Sequence, residues 1–261
     1  MEMNPLTHSG HGFEELTMRW KTIAQDLDLK ETVISEEGGY EVFAFENQCA
    51  VPRCEAGGLY VSSGVHGDEC APPWSLLQWV ETEPAILNSK PVVIFPCLNP
   101  HGFVENTRHD HSGMDLNRNF QDENVPLIGR WQDFLEDREF DLAVNLHEDY
   151  DALGIYLYEI VRTQSRGDQL LSACSEVIRR ETAAMVDGSE FENGLLSHET
   201  NDADLKRVVD EDLEGGCPEA IWLAMHHATD TFTFESPSEM ALETRVAAHQ
   251  RFLEEVTAGL L

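Results

Sequence analysis

Pro91-Val92-Val93-Ile94-Phe95-Pro96-Cys97-Leu98-Asn99-Pro100-His101-Gly102 is the stretch that decides the fold class of this chain. Its apolar half is unbroken and rich in β-branched residues, as expected of a strand covered on both faces. Its second half is polar and turn-forming, so the strand ends in a loop that can carry chemistry. The same grammar recurs on either side. Upstream, residues 59–63 form a short apolar run ending at Gly64, followed by His66-Gly67-Asp68-Glu69 and a helix opened by Pro72-Pro73. Downstream, 141–146 is another apolar run, preceded by a helix near 129–137 and followed by His147-Glu148. Residues 154–160 read as a strand, 169–186 as a long helix, and 231–234 as a last strand leading into Glu235. A last helix is expected over 238–257 with Ser238 as its N-cap. At the other end, apolar spacing predicts a helix over 13–30, then strands at 31–35 and 40–45 joined across Glu36-Glu37-Gly38-Gly39. Strands separated by helices imply a three-layer α/β/α fold, and the hairpin makes its central sheet mixed.

The length of 261 residues fits one α/β domain over 1–261 better than two small ones. A domain of this size buries roughly three quarters of its unfolded surface. It needs no metal to fold, so a bound metal would serve chemistry. With 17 basic against 49 acidic residues, a formal charge of −32, the surface repels nucleic acid and anionic membranes. Cys49, Cys54, Cys70, Cys97, Cys174 and Cys217 include no Cys-x-x-Cys pair and no zinc-ribbon spacing. Cys97 reads as a buried thiol. Met1 to Gly12 lacks the pattern of a secretory signal, and no stretch approaches the ~20 apolar residues of a membrane span. The expected location is the cytoplasm.

Each polar cluster follows a predicted strand, and open α/β sheets bind ligands beyond the carboxyl ends of their strands. Imidazole and carboxylate three residues apart on a tight loop, as in His66 and Glu69, can turn toward one ion. A hydrolytic zinc site uses three protein ligands and leaves a position open. His147 is the expected third. Glu148 competes with it, and the known set of two histidines and one carboxylate favours His147.

Five segments in this order, Val65-His66-Gly67-Asp68-Glu69, Asn99-Pro100-His101-Gly102, Asp115-Leu116-Asn117-Arg118-Asn119-Phe120, Leu146-His147-Glu148 and Thr233-Phe234-Glu235-Ser236-Pro237-Ser238, resemble the carboxypeptidase A-like zinc carboxypeptidases. The likeness is greatest to the compact bacterial branch with murein peptide amidases. The succinylglutamate desuccinylase and aspartoacylase group is a more distant relative. The resemblance implies a carboxypeptidase-like fold and one zinc ion held by His66, Glu69 and His147. It implies that Glu235 is the general base on a zinc-activated water and that Arg108 stabilises the oxyanion. It also implies that Asn117 and Arg118 hold the substrate's free carboxylate, and that Asp115 orients His66. These roles suit the residue types: a carboxylate can shuttle a proton, and a guanidinium fork matches a carboxylate. The expected substrate is a small peptide, a muropeptide or an N-acyl amino acid, cleaved beside a free carboxylate. An N-acyl-amino-acid deacylase is the alternative enzyme, and a non-catalytic zinc- or peptide-binding homologue the alternative of another class.

The chain departs from the family pattern in having no tyrosine between Glu159 and Glu235, so capping of the substrate carboxylate falls to another residue. That interval instead holds Asp210, Glu211, Asp212, Glu214 and Glu219. If this stretch lines the specificity pocket, its charge favours a basic substrate residue. His101, His109, His111, His198, His226 and His227 have no matched role.

Overall fold

The computed structural model describes residues 10–47, 57–83, 85–186, 188–198 and 201–258. The first helix, α1 (Phe13–Asp26), buries Phe13, Leu16, Trp20, Ile23 and Ala24 against the sheet. It stops short of the predicted end at 30 because Asp28 turns into the left-handed region, with φ of 52°, which an aspartate tolerates better than most residues. Strands β1 (Lys30–Glu37) and β2 (Tyr40–Glu46) then pair antiparallel. Gly38 and Gly39 join them, both at positive φ, as a two-residue hairpin turn requires.

The rest alternates. After β3 (Leu59–Ser63) comes α2 (Ala71–Thr82), with Pro72 and Pro73 in its first turn. Then follow β4 (Val92–Phe95), α3 (Pro126–Leu135), β5 (Phe140–Asp149), β6 (Tyr156–Ile160) and α4 (Gly167–Cys174). A small hairpin, β7 (Met185–Val186) and β8 (Ser189–Glu190), precedes β9 (Leu195–His198). The chain closes with α5 (Glu219–His226), β10 (Ala228–Pro237) and α6 (Leu242–Ala258).

Eight strands form one mixed sheet in the order β1-β2-β4-β3-β5-β10-β6-β9. The central β4, β3, β5 and β10 are mutually parallel; β2 and β6 run antiparallel to their neighbours β4 and β10. Side chains alternate between two helical layers. Leu59, Val61, Leu142, Val144, Phe232 and Phe234 share one apolar core with α1, α2, α4 and α6. Tyr60, Phe95 and Ala143 face the opposite way, toward Trp131 of α3 and Trp222 of α5. The fold is the predicted three-layer α/β/α arrangement.

Two helices differ from expectation. The helix predicted over 169–186 ends at Cys174. Beyond it the chain pairs with Ile155, whose N–H donates to Arg179 O and whose carbonyl accepts from Glu181 N. The Glu181 carboxylate takes the N–H groups of Leu153, Thr182 and Ala183, so the backbone finds partners outside a helix. The last helix begins at Leu242, not at 238. Ser238 N–H donates to Asp149 O and Met240 N–H to Pro237 O, so Ser238 belongs to a turn and caps nothing. Helix α5 and edge strand β9 were not foreseen. Cys70, Cys97, Cys174 and Cys217 are free and buried; Cys49 and Cys54 lie outside the described residues. No described helix is long and apolar enough to cross a membrane.

Candidate metal centre

The loop after β3 carries His66 and Glu69, and its shape depends on glycine. A Cβ on Gly67 would sit 1.9 Å from the carbonyl carbon of Gly102, so only a residue without a side chain lets the two backbones meet. Asn99 holds the other backbone in place. Its Oδ1 accepts from Gly102 N at 2.8 Å and its Nδ2 donates to Arg108 O at 3.2 Å. The Asn99-Pro100-His101-Gly102 segment therefore shapes the loop and delivers Arg108.

His147 arrives from β5. The pleat sends His147 to the face of α3 and α5 and Glu148 to the face of α2 and α6, which settles the competition between them. Glu148 accepts from Arg245 Nη1 at 2.6 Å, Ala71 N at 3.0 Å and Ser236 Oγ at 3.2 Å. It is committed to the layer behind the site.

His66, Glu69 and His147 are all buried, and their ligand atoms lie within 4.8 Å of one another. His66 Nδ1 is 2.5 Å from Glu69 Oε1, and His147 Nδ1 is 3.1 Å from Glu69 Oε2. Both imidazoles thus turn the same nitrogen to one carboxylate. Glu69 Oε2 is nevertheless a buried oxygen with no properly formed hydrogen bond. A buried carboxylate left short of a partner beside two imidazole nitrogens fits a cation, and two nitrogens with one carboxylate oxygen is a donor set that zinc accepts. Burial works against a charged His66, but Glu69 and Asp115 outweigh it and lift its pKa to about 9. Burial likewise opposes charge on Glu69, and the two imidazoles drive its carboxyl far below the usual range. His147 is raised for the same reason, Glu69 acting before Glu235.

The other expected residues gather around this centre. Asp115 Oδ1 faces His66 Nε2 at 3.2 Å, and its Oδ2 accepts from Arg108 Nε at 3.0 Å. Arg108 Nη1 lies 3.2 Å from His66 Nδ1. Glu235 pairs in register with His147 on one side and Tyr156 on the other, so the three side chains share one face of three adjacent strands. Asn117 Oδ1 accepts from Glu219 N at 3.0 Å, and its Nδ2 has no protein partner among the described residues. Arg118 donates to Asn117 O at 3.0 Å and forms no ion pair with a described residue. A cavity of about 590 Å³ is lined by His66, Glu69, Arg108, Asn117, Arg118, His147 and Glu235 together.

Reading the residues missed the tyrosines. Tyr150, Tyr156 and Tyr158 line the same cavity, with Asn145, Thr231 and Thr233. Their signal was available as polar alternation: 145 and 147 on β5, 231, 233 and 235 on β10, 156 and 158 on β6. His101, His109, His111, His226 and His227 do not line it. His111 pairs with Glu37 at 3.3 Å, and His226 and His227 pack on Trp222.

Comparison with known proteins follows this geometry. The family profile of the succinylglutamate desuccinylase/aspartoacylase catalytic domain matches residues 56–186, half of the chain. No curated protein sequence matches. Among solved structures, a candidate metallopeptidase of Shewanella denitrificans superposes with a TM-score of 0.82 at 18% identity, covering 99% of this chain and 98% of that one. One from Shewanella amazonensis gives 0.81 at 17%, covering 96% and 94%. A metallo-carboxypeptidase of Pseudomonas aeruginosa gives 0.66 at 15%, covering 94% and 68%. At these identities the structures speak for the fold, which is the carboxypeptidase-like one. The sequence resemblance put the murein amidase branch first and the desuccinylase group second, whereas the profile match goes to the second. The matched segment runs from before β3 to the end of β7 and takes in all three residues of the buried cluster. The chain belongs to the succinylglutamate desuccinylase/aspartoacylase catalytic-domain family.

Proposed function

We propose that the chain is a zinc-dependent hydrolase that cleaves a peptide or amide bond beside a free carboxylate. The observation that carries this reading is one cavity holding a buried His66–Glu69–His147 cluster, Glu235 one strand away, and a guanidinium at Arg118 without an anionic partner among the described residues. His66, Glu69 and His147 would hold a zinc ion, which would supply Lewis acidity and lower the pKa of water there. Glu235 is placed to take a proton from the attacking water and return it to the leaving nitrogen. Arg108, braced by Asp115, offers positive charge to the oxyanion. Arg118 and the free Nδ2 of Asn117 offer donors to a carboxylate. Asp115 holds His66 through the nitrogen that faces away from Glu69.

Both enzyme readings use this chemistry. The peptidase reading draws on the carboxypeptidase-like fold. The family match favours the second, an N-acyl-amino-acid deacylase, since one enzyme in the family's name removes succinate from succinylglutamate. A non-catalytic homologue would have no use for Glu235 opposite His147. The test is a panel assay of zinc-loaded protein on C-terminally free peptides, muropeptides and N-acyl amino acids. Elemental analysis of wild type against His66→Ala with His147→Ala accompanies it. About one zinc per chain is expected in the wild type and none in the double variant; equal zinc in both overturns the ligand assignment.

A further inference from the structure

A second group of metal-ligating side chains lies outside the cavity, where the hairpin turn of β1 and β2 meets the loop that leads to Asp115. Glu37 ends β1 and is only 5% exposed, although it is a carboxylate. Its Oε1 accepts from Ser35 Oγ, and its Oε2 lies 3.3 Å from His111 Nδ1. His101, in the short helix Pro100–Glu105, stands beside them, with its ring centre 6.1 Å from that of His111. Gly38 makes room for it. A Cβ there would come 2.5 Å from His101 Nδ1, so this nitrogen lies against the turn next to Glu37. One carboxylate and two imidazoles thus converge from three separate stretches of chain.

The group is held in place before any ion arrives. Asp110 fixes the loop that carries His111: its Oδ1 accepts from Ser112 N at 2.8 Å, Ser112 Oγ at 2.7 Å and Met114 N at 2.8 Å. Asp110 N donates to Met114 O, and Gly113 N to Asp110 O. Asp110 therefore shapes the turn, and Ser35 steadies Glu37 from the other side. The His111 ring, with its side chain 44% exposed, has room to rotate.

Distance decides whether one ion can be shared. Zinc–nitrogen bonds of about 2.0–2.1 Å put a ring centre roughly 3.2 Å from the ion, so two rings on one ion stand no more than roughly 6.4 Å apart. His101 and His111 at 6.1 Å are inside that limit; His66 and His147, at 5.0 Å, are well inside it. The His66–Glu69–His147 cluster already brings its donor atoms within 4.8 Å of one another. The second group needs a turn of the His111 ring to do the same.

We propose that Glu37, His101 and His111 form a second, solvent-facing metal site for a divalent cation of the zinc, cobalt and nickel class. Two imidazole nitrogens with one carboxylate oxygen suit these ions, whereas magnesium and calcium favour oxygen ligands throughout. The bound ion ties the β1–β2 turn to both sides of the segment that delivers Arg108, and to the loop that delivers Asp115, to His66. It acts as a clasp on the outside of the buried centre and has no part in the hydrolytic step. With three protein ligands and an open face, the clasp exchanges readily. It empties on dialysis, so the purified chain keeps the buried zinc, and it fills again when micromolar zinc is added.

The test is zinc titration by calorimetry, with the visible absorption of cobalt(II) as a second readout. Excess magnesium covers oxygen-only sites on the acidic surface. His66→Ala with His147→Ala isolates the clasp and should take up about one zinc with a micromolar Kd. Adding His101→Ala, His111→Ala or Glu37→Gln to it should weaken uptake by roughly tenfold or more. Zinc should raise the Tm of the double variant and cease to do so once His111 is replaced; circular dichroism verifies that each variant folds. The wild type asks the same question with the buried site intact: about two zinc per chain at saturation, and about one in His111→Ala. No uptake by the folded double variant, uptake indifferent to all three further substitutions, or a wild type whose stoichiometry ignores His111→Ala overturns the proposal. A wild type that binds one zinc, lost with His111→Ala and kept without His66 and His147, leaves the clasp standing and overturns the buried ligand set instead.

Discussion

Two carboxylates at the ends of β5 and β10 sit one residue apart in the pleat and live in opposite worlds. Glu148 points into the α2 and α6 layer, where Arg245, Ala71 N and Ser236 occupy its oxygens. Glu235 points into the cavity beside His147. The first belongs to a closed set that braces the site from behind. It ties the strand of His147, the strand of Glu235 through Ser236, and the start of α2 just beyond Glu69 to the last helix. The second lines the cavity with Glu69 Oε2, Asn117 Nδ2 and Arg118, and these three are short of partners among the described residues. Satisfied polar groups hold a structure together, and unsatisfied ones, if buried or in a cavity, mark where a ligand completes them.

The sharpest break in this contrast is Arg245→Met. It leaves Glu148 buried without its cation and should cost about 3–5 kcal/mol of stability, measured by urea unfolding. The deficit should grow as pH rises, since the stranded carboxyl escapes only by taking up a proton. A loss under 1 kcal/mol would mean the brace does not bear on the fold. On the open face, Glu235→Gln should keep metal and stability yet lose turnover by a factor on the order of 10² or more. Near wild-type kcat would hand the proton transfer to another group.

Arg118→Ala should act on binding alone. Loss of a hydrogen bond to a charged group is worth about 1.5–3 kcal/mol, read as a raised KM for free-acid substrates with amidated analogues equally poor for both enzymes. A wild type that prefers amidated substrates would remove the carboxylate donors from the scheme.

The smallest effect is in pH. With His66 raised from 6.5 to about 9, the metal-free protein has this stabilisation in full below pH 6.5 and loses it as pH rises through about 9. Metal must displace that proton, so metal affinity should climb over the same window. Thermal melts of chelated and metal-loaded protein from pH 6 to 9.5 should therefore diverge, the chelated Tm falling relative to the loaded one. Parallel curves would show that His66 does not carry the proton.

Several of these features were readable without coordinates because they are local. An apolar run ending in a polar cluster marks a buried strand with a loop beyond it, and each run found from the sequence became a strand. His66-x-x-Glu69 lies within one loop, and Asp115, Asn117 and Arg118 within one short segment. Even the three-layer fold follows from strand and helix alternation. Where local signals misled, competition from distant partners was the cause. Residues beyond Cys174 have helical apolar spacing, yet pairing with Ile155, just before β6, claims their backbone. The acidic run from Asp210 reads as a charged pocket wall, yet Val208 and Leu213 on either side of it line the cavity while Asp210, Glu211 and Asp212 pair with Lys206 and Arg207.

Residue types, their spacing and their order along the chain were therefore enough to name the residues of the buried cluster and the fold class, since these depend on strand periodicity and on which atoms a cation accepts. The tertiary structure alone decided that His147 rather than Glu148 faces Glu69, and that Arg118 has no anionic partner among the described residues. Those outcomes depend on register between strands far apart in sequence and on which face each helix covers. Neither is encoded in any single stretch of residues; both emerge when the two faces of one sheet are buried at the same time.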